Sequence, residues 1–213
     1  MKAFKGFDKD LKCRDFQYEI GKEYEEKSAR LCNKGFHACE FPLDVLGYYP
    51  PTDNNRYCEV EIEDNGERQN DDTKVCGTKI KIGAEIGIKG LIQATFKYVK
   101  ERCTTDKQGA DNTTLTGGDR SALTGGDRSA LTGGYRSALT GGDRSALTGG
   151  EKSVVYGGEG AKVRAKKGSV LALQYWEDCE FKGIKFKEVD GVKIKEDTYY
   201  TLVNGRFKEC EEQ

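Results

Sequence analysis

The chain has 213 residues, enough for one or two domains with cores of their own. Charged residues make up 33% and hydrophobic ones 36%, a polar composition but not a disordered one. With 35 basic and 36 acidic side chains the formal net charge is −1, which excludes a global field that would steer the chain onto nucleic acid or an acidic membrane.

The opening residues, Met1 to Asp8, contain no apolar h-region, and no apolar run is long enough to span a bilayer. This predicts no signal peptide, no membrane contact and a cytosolic location. Residues 2–7, 16–20 and 35–39 read as short strands. Residues 42–49 read as a short helix, with Pro42 suited to its first turn and Pro50-Pro51 ending it. Residues 56–63 alternate with period two, a half-buried strand. A polar loop is expected over 65–73, a second alternating strand over 79–82, and an amphipathic helix over about 90–102.

From Asp111 to Gln174 the chain is eight octapeptides on one template, five of them near copies of D-R-S-A-L-T-G-G. Position three is Ser121, Ser129, Ser137, Ser145, Ser153 and Ser169 in most units; position five runs Leu115 to Leu147, then Val155, Val163 and Leu171. Residues two apart share one face of a strand, so serine and leucine form an inner ladder. Each octapeptide is then one strand plus one corner, the Gly-Gly pair supplying a tight turn with positive φ. Two octapeptides make one coil, so eight give about four coils advancing about 4.8 Å each. Outward positions are Arg, Ala and Thr. Arg120 stacks on Arg136 and Arg128 on Arg144, with Asp119, Asp127 and Asp143 placed to compensate the like charges. A flexible Gly-rich spacer is the competing reading. The phase kept through Leu171 and the hydrophobic run 170–176 favour order.

Residues 176–213 read as β-rich, with Asp190-Gly191 and Asn204-Gly205 as hairpin turns and a role in capping the solenoid. The expected organisation is therefore an α+β domain (1–102), a parallel β-solenoid of two octapeptides per coil (103–175), and a β-hairpin C-terminal cap (176–213).

Eight cysteines are present (Cys13, Cys32, Cys39, Cys58, Cys76, Cys103, Cys179, Cys210), and without a secretion signal reduced thiols are the default. Cys32, His37 and Cys39 give C-x4-H-x-C, with Cys58 as a fourth zinc ligand. Buried free cysteines are the favoured reading, so no metal is expected. No P-loop or GxGxxG is present, and the Gly-Gly-Asp repeat carries too few acids per unit for a calcium β-roll. No cofactor is expected.

His37 is the sole histidine. A histidine strand, Tyr48-Tyr49, and a strand bearing Glu59, Glu61 and Glu63 together resemble the order found in ADP-ribosyltransferases. That resemblance implies His37 and Tyr48 or Tyr49 as holders of a nicotinamide cofactor and Glu59 or Glu61 as the carboxylate orienting the attacked ribose. Separately, the segments MKAFKGFDKDLKCRDFQY, LCNKGFHACEFPLDVLGYYPP and RYCEVE resemble an uncharacterised domain family of bacteriophages and prophages that often precedes short Gly/Ser/Ala repeats. That resemblance implies a phage context and no assigned activity.

The leading expectation is a non-enzymatic phage accessory protein, a host-interaction or anti-defence factor that binds and blocks a host protein or protein–nucleic-acid complex. Arg120, Arg128, Tyr135, Arg136 and Arg144 are the expected partner-binding residues, since guanidinium forks suit carboxylate and phosphate. Direct nucleic-acid binding, an enzyme of the ADP-ribosyltransferase kind, and a self-assembling structural module are the alternatives.

Overall fold

The structure, a computed structural model, describes residues 1–68 and 72–211, and of Thr52 the backbone only. The chain divides into two compact units, Met1–Thr95 and Phe96–Gln213.

The first unit carries β1 (Lys2–Phe7), β2 (Lys12–Cys13), β3 (Phe16–Gln17), β4 (Glu23–Glu25), β5 (Phe36–Cys39), β6 (Arg56–Asp64) and β7 (Lys74–Glu85). Helix α1 (Gly87–Arg102) runs from its end into the second unit and begins three residues earlier than the periodicity predicts. Strand β7 is long enough to take β5 and β4 along one edge and β6 along the other. Strand β1 bridges β5 and β6, so β7–β5–β1–β6 closes into a small antiparallel barrel. Its inward residues follow the period of two over Val60 and Ile62 on β6 and Ile80 and Ile82 on β7, and Val75 also faces inward, beyond the shift in the β6–β7 register. The 42–49 helix is a 3₁₀ turn over Pro42–Gly47, and the 16–20 strand is only the two residues of β3. The polar loop at 65–73 falls partly outside the described residues.

The second unit is a stacked parallel solenoid. Strands β8 (Thr105–Gln108), β10 (Ser121–Thr124), β12 (Ala138–Gly141), β14 (Val154–Gly157) and β16 (Val170–Glu177) form one sheet, and β9 (Thr114–Thr116), β11 (Ala130–Thr132), β13 (Ala146–Gly149) and β15 (Lys162–Ala165) the other. Leu123 pairs with Leu139 and Leu131 with Leu147, so the register advances by two octapeptides per coil, about four coils in all. Strand β8 lies ahead of the octapeptides and was not legible as a strand.

The inner serine–leucine ladder is as expected: Leu123, Leu131, Leu139 and Leu147 are at most 1% exposed, and so are the serines. The serines also extend the hydrogen-bond ladder into the corners. The backbone N–H of Ser121 donates to Ser137 Oγ at 3.2 Å and that of Ser137 to Ser153 Oγ at 3.1 Å. The hydroxyls of Ser137, Ser145, Ser153 and Ser169 in turn donate to a glycine carbonyl of the preceding coil, as Ser153 does to Gly134 O at 3.1 Å, while Ser129 donates to Ala110 O and Ser121 to Gly118 O within its own corner. A buried hydroxyl therefore satisfies one donor and one acceptor where strand pairing stops.

Three details differ from expectation. The glycine pairs do not carry the positive φ. It falls on position two, at Arg120, Arg128, Arg136, Arg144 and Lys152 (φ 53–55°), and then at Gly160 and Gly168. The paired glycines are needed for space: a Cβ on Gly125 would lie 2.7 Å from Ser129 Cβ, and one on Gly142 would press on the Asp127 backbone and carboxylate. The alanines are not uniformly outward and exposed, since Ala122 and Ala138, continued by Val154 and Val170, are buried while Ala130 is exposed. Finally, Asp190-Gly191 is not a strand hairpin. Asp190 Oδ1 caps the N–H groups of Val192, Lys193 and Ile194, and no strand follows before Tyr200 among the described residues.

Beyond the last coil, β17 (Glu180–Glu188) runs antiparallel to β16 through a two-residue turn at Asp178-Cys179, both with positive φ. Strands β18 (Tyr200–Val203) and β19 (Arg206–Glu209) form the hairpin expected at Asn204-Gly205, and β18 pairs antiparallel with β15 at Val163 and Tyr200.

Candidate functional site

Two places hold most of the residues singled out from sequence: the corners of the solenoid and a cavity in the barrel unit.

Each coil has two corners, and the parallel register sorts them into two columns. Arg120 N–H donates to Tyr135 O and Arg136 N–H to Glu151 O, so residues 119–120, 135–136, 151–152 and 167–168 stack. Arg128 N–H donates to Asp143 O and Arg144 N–H to Glu159 O, so 111–112, 127–128, 143–144 and 159–160 stack in the other column. The columns differ in charge. The first carries Arg120, Arg136, Lys152 and Lys167 against Asp119 and Glu151; the second carries Arg128 and Arg144 against Asp111, Asp127, Asp143 and Glu159. The expected pair of equivalent arginine ladders is thus one basic column and one acidic column.

The aspartates are not simple counter-charges to the arginines. Asp111 Oδ1 accepts the N–H of Asp127 at 2.9 Å, Asp127 that of Asp143 at 2.9 Å, and Asp143 that of Glu159 at 2.7 Å. In the basic column Asp119 accepts from Tyr135 at 2.9 Å. The tyrosine has no carboxylate to offer the next coil, so the rung from position 135 is missing there. Its ring instead lies under the Arg136 guanidinium, 5.0 Å from the centroid. Arg120, Arg128 and Arg144 are exposed and form no ion pair with the described residues.

The barrel unit holds a cavity of about 720 Å³. It lies where the wall gapes: β1 pairs with β6 along its whole length but with β5 only at Phe4 and Cys39. Lys5 and Gly6 line it from one side of that seam and His37 from the other, with Tyr48 and Tyr49 following the 3₁₀ turn. Gly6 is required because a Cβ there would meet the Tyr49 ring at 2.6 Å. Tyr49 is further fixed by its carbonyl, which accepts the Tyr57 hydroxyl at 2.7 Å. Tyr48 donates its hydroxyl to Asp72 and lies under the Lys74 ammonium, 4.1 Å from the ring centroid.

The sequence-predicted residues divide here. His37 and Tyr48 share the cavity; Glu59 and Glu61 do not. Both glutamates sit on the exposed face of β6, because the inward positions of that strand belong to Cys58, Val60 and Ile62. The carboxylate of an ADP-ribosyltransferase arrangement is therefore not brought to the histidine. The zinc alternative is also corrected. Cys32, His37 and Cys39 line the cavity, Cys58 packs in the barrel core, and no metal-binding cluster forms among the described residues. His37 Nε2 accepts the Cys32 N–H at 3.0 Å, and burial, then Lys5 and Lys74, holds the imidazole below its ordinary pKa. Burial pushes the Cys39 thiol up and the Cys58 thiol up to about 11, so neither is poised as a nucleophile.

The residue that sequence reasoning missed is Lys5. It shares the inward face of β1 with Ala3 and Phe7, and it is 5% exposed. Its ammonium donates to His37 O at 2.9 Å and lies 5.4 and 5.6 Å from the centroids of Phe7 and Tyr18. A lysine at an inward position of a period-two strand was the available signal.

Residues 1–94 match a family described as Domain of unknown function (DUF7666), which ends before the octapeptides begin. No curated protein and no solved structure matches the chain.

Proposed function

We propose that this is a non-enzymatic binding protein whose solenoid holds a basic corner column against an acidic surface of a host protein or protein–nucleic-acid complex and blocks it. One observation carries the reading: the corners keep residues the fold does not favour. A left-handed backbone costs a non-glycine residue roughly 1–2 kcal/mol, and an observed outlier of this kind is a reason to look for function. Asn112, Gly160 and Gly168 meet the same requirement more cheaply at the ends of the array. Arginine holds the position four times in the middle, and Tyr135 forgoes a hydrogen-bond rung beside it.

The coil spacing of about 4.8 Å sets Arg120, Arg136 and Lys152 as a row of cations on rigid backbone. In this reading β17 to β19 cap the final coil and protect its strand edges from pairing with other chains. The resemblance of the first hundred residues to a phage and prophage family supplies the context, with a host macromolecule in the cytosol as the partner.

The test is capture from host lysate with the full chain and with an Arg120→Ser/Arg136→Ser variant. The reading expects one stoichiometric partner on the wild type, released by salt and lost from the variant. No partner, or one held equally by the variant, overturns it.

A further inference from the structure

The cavity at the β1–β5 seam has chemistry that the solenoid does not explain. Its volume of about 720 Å³ falls within the range of small-molecule sites, about 300–1,000 Å³. Its cations are Lys5, Arg14, Lys34 and Lys74 against the carboxylates of Asp15 and Glu26. Lys5 is the decisive one. It is buried, its ammonium donates to His37 O and, at 3.7 Å, to Cys13 Sγ, and it forms no ion pair with a carboxylate among the described residues. A buried charge without a counter-ion is costly, and an anion entering the cavity would relieve that cost. Burial lowers the Lys5 pKa, and the neighbouring Cys13 offsets only part of that.

The same cavity exposes aromatic surface. Phe16 is 44% and Tyr48 41% exposed, although large rings are usually covered, and both line the opening. Phe16 stands edge-on to Tyr18 and Tyr24, which holds its ring in place. Two lining residues, Arg14 and Cys32, hold left-handed backbone at φ 56° and 61°, a feature that clusters at ligand clamps.

We infer that the seam cavity binds a small aromatic anion, with its acidic group against Lys5 and its ring against Phe16 and Tyr48. Carboxylate, sulfonate and phosphate share the required chemistry.

The experiment uses two fluorescent probes of similar shape on the full chain: the anion 8-anilinonaphthalene-1-sulfonate and the neutral N-phenyl-1-naphthylamine. The wild type should bind one equivalent of the anion in the cavity. Lys5→Met keeps the volume and removes the charge, so it should weaken the anion at least tenfold and change the neutral probe less than twofold. Equal weakening of both probes, or no change for the anion, overturns the inference. If Lys5→Met fails to fold, amide shifts of the ¹⁵N-labelled wild type decide. The anion must move the Lys5, Phe16 and His37 amides, and shifts confined to other residues overturn the inference.

Discussion

The carboxylate of Asp127 accepts the backbone N–H of Asp143, sixteen residues later, at 2.9 Å. The same contact recurs from Asp111 to Asp127 and from Asp143 to Glu159, so position one of the octapeptide stitches one coil to the next. The rung from position 135 is missing, because that residue is tyrosine. Restoring it by Tyr135→Asp should stabilise the chain by about 0.5–1.5 kcal/mol, the usual net value of one hydrogen bond. Chemical denaturation checks this. The same change should weaken partner capture, since it adds a negative charge to the basic column and removes the ring under Arg136.

Arg144→Gly separates fold from function at position two. Glycine relieves the left-handed strain, about 1–2 kcal/mol, and costs about 0.5–1 kcal/mol of extra unfolded-state entropy. The denaturation midpoint should therefore rise, with a net gain of up to about 1.5 kcal/mol. A fall would mean that the arginine side chain supports the corner, and the argument from strain would fail.

Gly142→Ala tests the opposite property of the corner. The new methyl would meet the Asp127 carboxylate and the backbone of the preceding coil. Overpacking of this kind typically costs about 1–3 kcal/mol. Gly47→Ala is the control, since nothing lies within 4 Å of a Cβ there and no positive φ is involved. Equal midpoints for the two variants would remove the steric account of the glycine pairs.

The solenoid was legible because its period is written in the chain. Serine at position three and leucine at position five fix which residues face inward, and a sixteen-residue coil follows from two corners per turn. The conformation within the corner was not legible. Gly-Gly is the usual signal for positive φ, whereas here the strain sits on arginine and the glycines serve close packing. The Asp178-Cys179 turn escaped notice for the same reason: both residues adopt left-handed backbone without being glycine. The barrel was hidden because β7 takes three partner strands, and local alternation cannot reveal more than two faces. The cavity was hidden because β1 and β5, distant in sequence, share only one ladder pair, Phe4 with Cys39. Glu59 and Glu61 share a period with each other but point away from the cavity, which spacing alone did not decide.

Thiol labelling reads the burial of the cysteines directly. All eight are free. Cys32 and Cys179 are exposed and should react first with a disulfide reagent at pH 8, while Cys39, Cys58 and Cys76 are buried and should react only on unfolding. Mass mapping of the first two labels checks the order. Early labelling of Cys58 would contradict its place in the barrel core.

The last strand before the Asp190 turn predicts a pH dependence. Burial, then the Asp190 charge, raises Glu188 from an ordinary 4.5 to about 7. The folded chain thus holds this proton more tightly than the unfolded chain does. The stabilisation is complete below pH 4.5 and is lost as pH rises to about 7. Above that, a half-buried carboxylate is ionised beside Asp190 and pairs in register with the buried Val170. Glu188→Gln keeps the shape and removes the charge. The variant's denaturation midpoint should overtake the wild type's progressively between pH 4.5 and 7, and the gap should stay constant above. Midpoint profiles that run parallel from pH 4 to 8 would show that Glu188 titrates alike in both states and that β17 does not bury it.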